Sequence, residues 1–438
     1  MVLQGLSFGM EWMWLNLNLL DISLLDLNLL VVVNQANLGT NDLTNSFGIN
    51  LLVILLLLWQ VPSLLILLRR LSTAPQRILP LVPLSPEAEQ AARQNPQVSV
   101  IIPTLNEIER LPSCLEGLRD QAVREIIVID SRSQDGTPEY VQKIQPDFPI
   151  PLRLITDDPL PAGWVGRPWA LHTGFTHVDP ASEWVLGLDA DTVPQSGLAA
   201  SLAQKASTDG YDILSLSPRF ILKTAGEQWL QPSLLITLVY RFGATGDPTQ
   251  FTDQRVMANG QCFLSRRQKL AALGDYTLAK SSFCDDVTLA RAVAQTGAKV
   301  GFLDGANLIQ VRMYTSMAET WREWGRSLDL KDAAPRSQTW GDCVFLVAVQ
   351  GLPHLLLALL TYGLTVGIKF NPLLWSLLGI NSFLVLIRWL LQLGVRNSYT
   401  EVGFWFWLAP LSDPLAALRI CLSALRQPKQ WRGRTYEI

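Results

Sequence analysis

At 438 residues, 49% hydrophobic and with a mean hydropathy of +0.21, the chain is long for one domain and too apolar for a wholly soluble enzyme. A formal net charge of −3 supplies no basic field, so no nucleic-acid partner is expected. Scattered cysteines without a C-x-x-C (Cys114, Cys262, Cys284, Cys343, Cys421) argue against a disulfide framework or structural zinc. The histidines (His172, His177, His354) are too few for a His-rich metal centre.

Residues 1–46 are rich in Leu and Asn, carry Glu11, Asp21, Asp26 and Asp42, and lack the basic start of a signal peptide. They read as an N-terminal extension of unassigned structure or as an interfacial helix. Residues 47–68 are uncharged, Leu/Ile-rich and as long as the ~20 residues a transmembrane helix needs. No Lys or Arg precedes Arg69 and Arg70, so the positive-inside rule puts that pair in the cytoplasm. The alternative for this stretch is a buried core helix.

A Pro-rich linker, 69–97, leads into an α/β domain over 98–330. Strands are expected at 98–102, 125–130, 152–155 and 184–188, with helical patterns between them, which implies a mostly parallel sheet. Transmembrane helices are expected again at 343–368 and 373–393. The apolar stretch 404–425 is broken by Pro410, Asp413 and Pro414 and reads as interfacial or re-entrant; a basic tail, 426–438, belongs on the cytoplasmic side.

The stretch most loaded with chemistry is WVLGLDADT, ending at Thr192. Its apolar run suits a buried strand, and Asp189 and Asp191 follow where that strand would end, the edge at which open α/β sheets bind ligands. The two carboxylates can hold a divalent cation that in turn holds a diphosphate, or they form an ordinary turn. Two further loops, PTLNE with Asn106 and Glu107, and DSRSQDGT opening at Asp130, also follow strands. In LPAGWVGRPWALHTG, Arg167 offers a fork for phosphate, or is simply an exposed loop arginine. Asp285 and Asp286 stand before a helical pattern. There they serve as dipole-favoured caps, or Asp286 takes a proton from an acceptor hydroxyl as a general base.

In this order, PTLNE, VIDSRSQDGT, DAD and CDD resemble the family-2 glycosyltransferases of GT-A fold over about 98–330. GWVGRPWAL, VMANGQCF, SFCDDVTLAR, WREWGRSLDLKD and WRGRTYE are similar, more narrowly, to cyanobacterial carotenoid 2′-O-glycosyltransferases. Hopanoid-associated and staphyloxanthin-type enzymes are resembled less closely. The resemblance implies an inverting, metal-dependent hexosyltransferase using Mg²⁺ or Mn²⁺ and a UDP- or GDP-sugar. One sugar would pass to a lipid hydroxyl, most narrowly of a hydroxycarotenoid. The setting implied is a multi-pass protein of a bacterial plasma or thylakoid membrane with its catalytic domain in the cytoplasm.

Carried over by position, Glu107 and Asp130 hold base and ribose, and Arg167 contacts the donor. Asp191, helped by Asp189, holds the metal; Gly260, Gln261 and Asp285 line the acceptor site; Asp286 is the catalytic base. The segment 317–328 (MAETWREWGRSL) is amphipathic, with Trp321, Arg322, Trp324 and Arg326 as substrate-binding candidates, either at the membrane interface or packed on the enzyme's own sheet. The chain departs from the family pattern in three places. Ser131 replaces a second Asp, Arg167 replaces a Lys, and Thr320 and Glu323 stand where Q-x-x-R-W has Gln and Arg. That broken signature disfavours a processive polysaccharide synthase. The retained acids disfavour a non-catalytic scaffold.

Overall fold

The computed structural model describes residues 40–246, 253–325, 328, 330–425, 430–431 and 434–435. Most of the extension expected over 1–46, most of the tail at 426–438, and Arg326 lie outside them.

The α/β architecture expected of a GT-A domain is present. Its main sheet contains β1 (Val98–Thr104), β2 (Glu125–Asp130), β3 (Leu152–Thr156), β4 (Trp184–Leu188), β6 (Ile213–Ser217), β8 (Cys262–Arg266) and β9 (Val300–Asp304). The order is β3-β2-β1-β4-β8-β6-β9, and β8 alone runs antiparallel to its neighbours. A small second sheet pairs β5 (Thr192–Pro194), β7 (Arg219–Phe220) and β10 (Ile309–Val311), which three-residue patterns do not betray in sequence. Strand residues alternate between two cores because helices cover both faces: Val100, Ile102, Ile126 and Val128 enter one, and Ile101, Ile127 and Ile129 the other.

The helices that matter for the site are α1 (Thr40–Leu71), α2 (Gly166–Thr176), α3 (Ala225–Phe242), α4 (Asp285–Ala294), α5 (Arg336–Leu346), α6 (Pro353–Thr365), α7 (Pro372–Val395) and α8 (Asp413–Leu425). In α2, a Cβ on Gly174 would come within 2.4 Å of the Ile101 side chain, so this glycine lets the helix lie directly on the sheet.

Among the described residues, three helical stretches are long and apolar enough to cross a membrane: Phe47–Gln76, Arg336–Thr365 and Pro372–Ser398. The second begins earlier than the expected 343. It continues from α5 into α6 through a widened turn at Val347–Gly351, where Leu352 N donates to Val347 O at 2.9 Å and Pro353 supplies no N–H. The expected linker 69–97 contains a helix, Pro86–Gln94: Ser85 Oγ accepts from Ala88 N, Pro86 is pre-set for a first turn, and Glu, Ala and Gln propagate it. The stretch 404–425 is broken, as its prolines imply, into Phe404–Trp407, a tight turn at Ala409–Ser412, and α8.

Helix α3 joins the two halves. Thr224 and Glu227 form a reciprocal capping box at its start. Its Leu230, Leu234, Ile236 and Tyr240 share a core with Leu67 of α1, Leu346 of α5, Leu384 of α7 and Ile420 of α8. The sheet domain is therefore packed onto the apolar helices rather than tethered to them.

Candidate active site

Strands β1, β2 and β4 end on one edge of the sheet. There Asn106 and Arg110 (after β1) and Asp189 and Asp191 (after β4) meet Gly260 and Gln261 (before β8) and Asp285 and Asp286 (start of α4) around a cavity of about 530 Å³. Asn106 adopts φ 57°, and its side chain accepts from Gln134 N at 2.8 Å, which ties the first loop to the second.

Arg167 is the hub. Its Nε donates to Asp189 Oδ1 at 2.9 Å, its Nη2 to Gly260 O at 2.7 Å, and its Nη1 to Asp285 Oδ2. One guanidinium fork thus fixes three loops that approach from different strands. A Cβ on residue 260 would fall 2.6 Å from Arg167 Nη2, so only glycine leaves the fork its place. Asp286 is held by backbone: its Oδ2 accepts from Gly260 N at 2.7 Å and its Oδ1 from Val287 N at 2.8 Å.

This edge carries more negative charge than its arginines neutralise. Burial, then the Asp189 carboxylate, pushes Asp191 up to about 7, against the pull of Arg110. Burial likewise lifts Asp285 to about 7 despite Arg167, and lifts Asp286 above the ordinary carboxylate range. Burial works against the Arg167 cation, but Asp189, Asp285 and Asp286 more than offset it and hold the guanidinium protonated.

The residues fit a hard divalent cation. Asp191 Oδ1 is buried and has no hydrogen-bond partner, an orphan that a cation would satisfy. Among the described residues no three ligating side chains are gathered into a cage.

The other sequence candidates are placed differently. Glu107 and Asp130 sit beneath the loops, 2% and 6% exposed, and do not line the cavity. Asp130 accepts from Ser133 N at 3.0 Å, and Glu107 pairs with Arg110 at 3.4 Å. Trp324 is buried against Phe220 and Tyr314 and walls the cavity, whereas Trp321 lies under Arg419 of α8, away from it. Arg322 reaches the cavity rim with its side chain 71% exposed. Of the expected helix at 317–328, Met317–Glu319 is α-helical and Thr320–Trp324 forms a widened turn. Arg110 was not singled out in the sequence; three residues after Glu107 in a one-turn loop, it had no local pattern to mark it.

Away from the acids the wall turns apolar, with Leu235, Leu238, Val239 and Phe242 from α3 facing Met313 and Trp324. In sequence α3 had been absorbed into the α/β domain, since its polar breaks (Gln228, Gln231, Ser233) hide its apolar faces.

The family model for Glycosyl transferase family 2 matches residues 99–274. A 4,4'-diaponeurosporenoate glycosyltransferase from Staphylococcus haemolyticus is 25% identical over 255 residues, 56% of this chain and 64% of the relative. Glycosyltransferase AglE from Haloferax volcanii is 28% identical over 136 residues, 30% of this chain and 42% of the relative. The match spans less than two-thirds of either relative. Among solved structures, glucosyl-3-phosphoglycerate synthase from Mycobacterium tuberculosis, crystallised with Mn²⁺, UDP and glucosyl-3-phosphoglycerate, aligns at 19% identity over 59% of this chain and 89% of its own, with a TM-score of 0.40. Residues 99–274, which hold the first three loops of the site together with Arg167 and Gly260, are a glycosyl transferase family 2 domain.

Proposed function

We propose that the protein transfers one sugar from a nucleotide-diphosphate sugar to a hydroxyl of an apolar lipid, and that a hydroxycarotenoid is its acceptor class. The observation that carries this reading is the cavity itself: carboxylates crowd one end and the apolar face of α3 forms the other, and α3 packs directly on the membrane-type helices. The named activity of the Staphylococcus haemolyticus relative, on a carotenoid-derived acid, supports a long apolar acceptor.

In this reading Asp191, with Asp189, holds Mg²⁺ or Mn²⁺, which when bound offsets charge on a diphosphate. Arg167 keeps Asp189, Asp285 and the 260 loop in register, and Arg110 and Arg322 at the cavity rim face the diphosphate. Glu107 and Asp130 shape the nucleoside end from beneath their loops. Gly260, Gln261 and Asp285 shape the acceptor end. Asp286, its carboxylate aimed by Gly260 N and Val287 N and made more basic by burial, accepts the acceptor's hydroxyl proton as the oxygen attacks the anomeric carbon with inversion, and the bond from that carbon to the phosphate oxygen breaks on the opposite face to release the nucleoside diphosphate. Alignment of the two substrates makes the step effectively unimolecular, worth up to roughly 10 kcal/mol. In the same reading the protein sits in a bacterial plasma or thylakoid membrane, three helices crossing it and 404–425 interfacial or re-entrant, with the domain on the cytoplasmic side.

The test uses membranes carrying the full chain, wild type beside Asp286→Asn, with hydroxycarotenoid extract, Mg²⁺ or Mn²⁺, and UDP-, GDP- and dTDP-sugars. A carotenoid one hexose or deoxyhexose heavier, absent from the variant, is the expected product by mass. Transfer to hopanoids or glycerolipids alone would reassign the acceptor, a polymer would favour a processive synthase, and no turnover of any donor would contradict the reading.

A further inference from the structure

Behind the apolar wall lies a cluster that the proposed reaction does not use. Arg70 closes α1 and donates from Nη1 to Tyr240 O at 3.0 Å, its guanidinium 4.5 Å over the Phe345 ring of α5. Arg241 ends α3 and donates to Thr237 O at 3.1 Å and to Leu328 O. Arg255 donates to Arg241 O at 2.9 Å, and Arg291 of α4 to Val256 O at 3.0 Å and to Ala333 O at 2.5 Å. The guanidinium groups of Arg241, Arg255 and Arg291 lie 5.1, 6.0 and 5.8 Å from the centre of one ring, Phe242. Asp342 of α5, itself buried, pairs with Arg255 at 3.6 Å.

Carbonyls and an aromatic face soften the cost of burying these cations, but they do not cancel the charge. Burial and the neighbouring Arg241 and Arg255 push Arg291 down to about 10. Arg291 is 3% exposed, and its Nη2 has no partner. Arg255, at 25% side-chain exposure, opens onto the cavity together with Phe242. Arg70 stands in the last turn of α1, and Asp342 and Phe345 lie in the second half of α5, within the first half of the apolar stretch Arg336–Thr365. The end of an apolar helix is the depth at which basic pockets between helices meet lipid headgroups.

We propose that Arg70, Arg255 and Arg291 form a binding site for a phosphate-bearing anion, separate from the carboxylate edge of the cavity and presented by an anionic phospholipid headgroup or by a soluble phosphate. The forks of Arg255 and Arg291 supply directed donors, Arg70 supplies charge at the headgroup level, and the anion satisfies Arg291 Nη2. This site does not depend on the transferase reading.

The experiment takes the full chain in a non-ionic detergent, as wild type, Arg255→Gln, Arg70→Gln and the charge-retaining Arg255→Lys. Thermal stability is measured with phosphatidylglycerol, with inorganic phosphate, and with sodium chloride at matched ionic strength. Lipid retention is followed by native mass spectrometry. A bound anion raises the wild-type Tm by about 2–4 °C above the chloride control, with less than half that gain in either Gln variant and most of it kept in Arg255→Lys. A gain from the lipid with retained adducts assigns a headgroup; a gain from phosphate alone assigns a soluble anion. Equal gains in wild type and Gln variants, or a wild type that gains no more than it does from chloride, overturn the proposal whatever the variants' own stability.

Discussion

Two buried arginines in this chain meet carboxylates in opposite ways. At the sheet edge, Arg167 faces Asp189 and Asp285, with Asp286 close by and Asp191 left with an unpartnered oxygen. Among the apolar helices, Arg388 of α7 meets Asp413 at 2.7 Å, and its other nitrogens donate to Gln392 Oε1 at 2.8 Å and Ser233 Oγ at 3.2 Å. Gln350 adds a donor to Asp413 at 3.3 Å. The second set is matched in charge, although Gln350 Oε1 is buried without a partner, and it joins α7, α8, α3 and the turn before α6. The first has surplus negative charge and borders a cavity. Chemistry belongs where the accounting stays open, and cohesion where it closes.

Substitutions sharpen that contrast. The largest effect is expected for Asp191→Asn, which should lower sugar transfer by about 10²–10³-fold or more while leaving Tm unchanged or raised, because it removes a crowded buried charge. Activity with the donor panel and differential scanning fluorimetry read the two halves. Arg388→Met should do the reverse, costing about 3–5 kcal/mol of stability by stranding Asp413, with much of that recovered in Arg388→Met/Asp413→Leu. Thermal melts of the full chain in detergent check it, and loss of activity beyond loss of folded protein would blur the distinction.

Gly260→Ala should displace the Arg167 fork and lower kcat by about 10-fold or more, since a 1 Å misplacement is enough for such losses, with a smaller change in Tm. The pH dependence follows from Asp285. Its carboxyl is raised to about 7 in the folded chain, so its contribution to stability is complete below about 4 and is lost as pH rises through about 7. Asp285→Asn should therefore flatten the fall in Tm between pH 5 and 8 that wild type shows, measured in matched buffers at constant ionic strength. The smallest effect is expected for Arg322→Gln: within about 0.5 kcal/mol in stability, because the side chain is exposed, with any effect confined to KM for the donor.

The fold was largely legible because its signals are local and redundant. The β-branched run at 125–130 and the apolar run at 184–188 became strands with those bounds, and the Leu/Ile-rich stretches at 47–68 and 373–393 lie within long helices. Asp189 and Asp191 were legible for a related reason: they follow a strand, and a parallel sheet delivers its strand ends to one edge, whereas Asp285 and Asp286 were marked by the helical pattern they precede. What escaped was decided by tertiary contact. Arg167 carries no mark in sequence of the three loops it ties, since its partners lie 22, 93 and 118 residues away. The same holds for Arg388, which the apolar span at 373–393 gave no reason to single out, and for Asp413, which in sequence marked a break in 404–425. Helix α3 was hidden because a helix buried on several sides does not show one clean apolar stripe.

The most direct test is calorimetric titration of UDP and GDP into the full chain with and without Mn²⁺, comparing wild type, Asp191→Asn and Arg388→Met. The open edge as ligand site predicts Mn²⁺-dependent nucleotide binding in wild type and in whatever fraction of Arg388→Met is folded, and its loss in Asp191→Asn. Nucleotide binding that is equal in wild type and Asp191→Asn, or indifferent to Mn²⁺, would contradict the account.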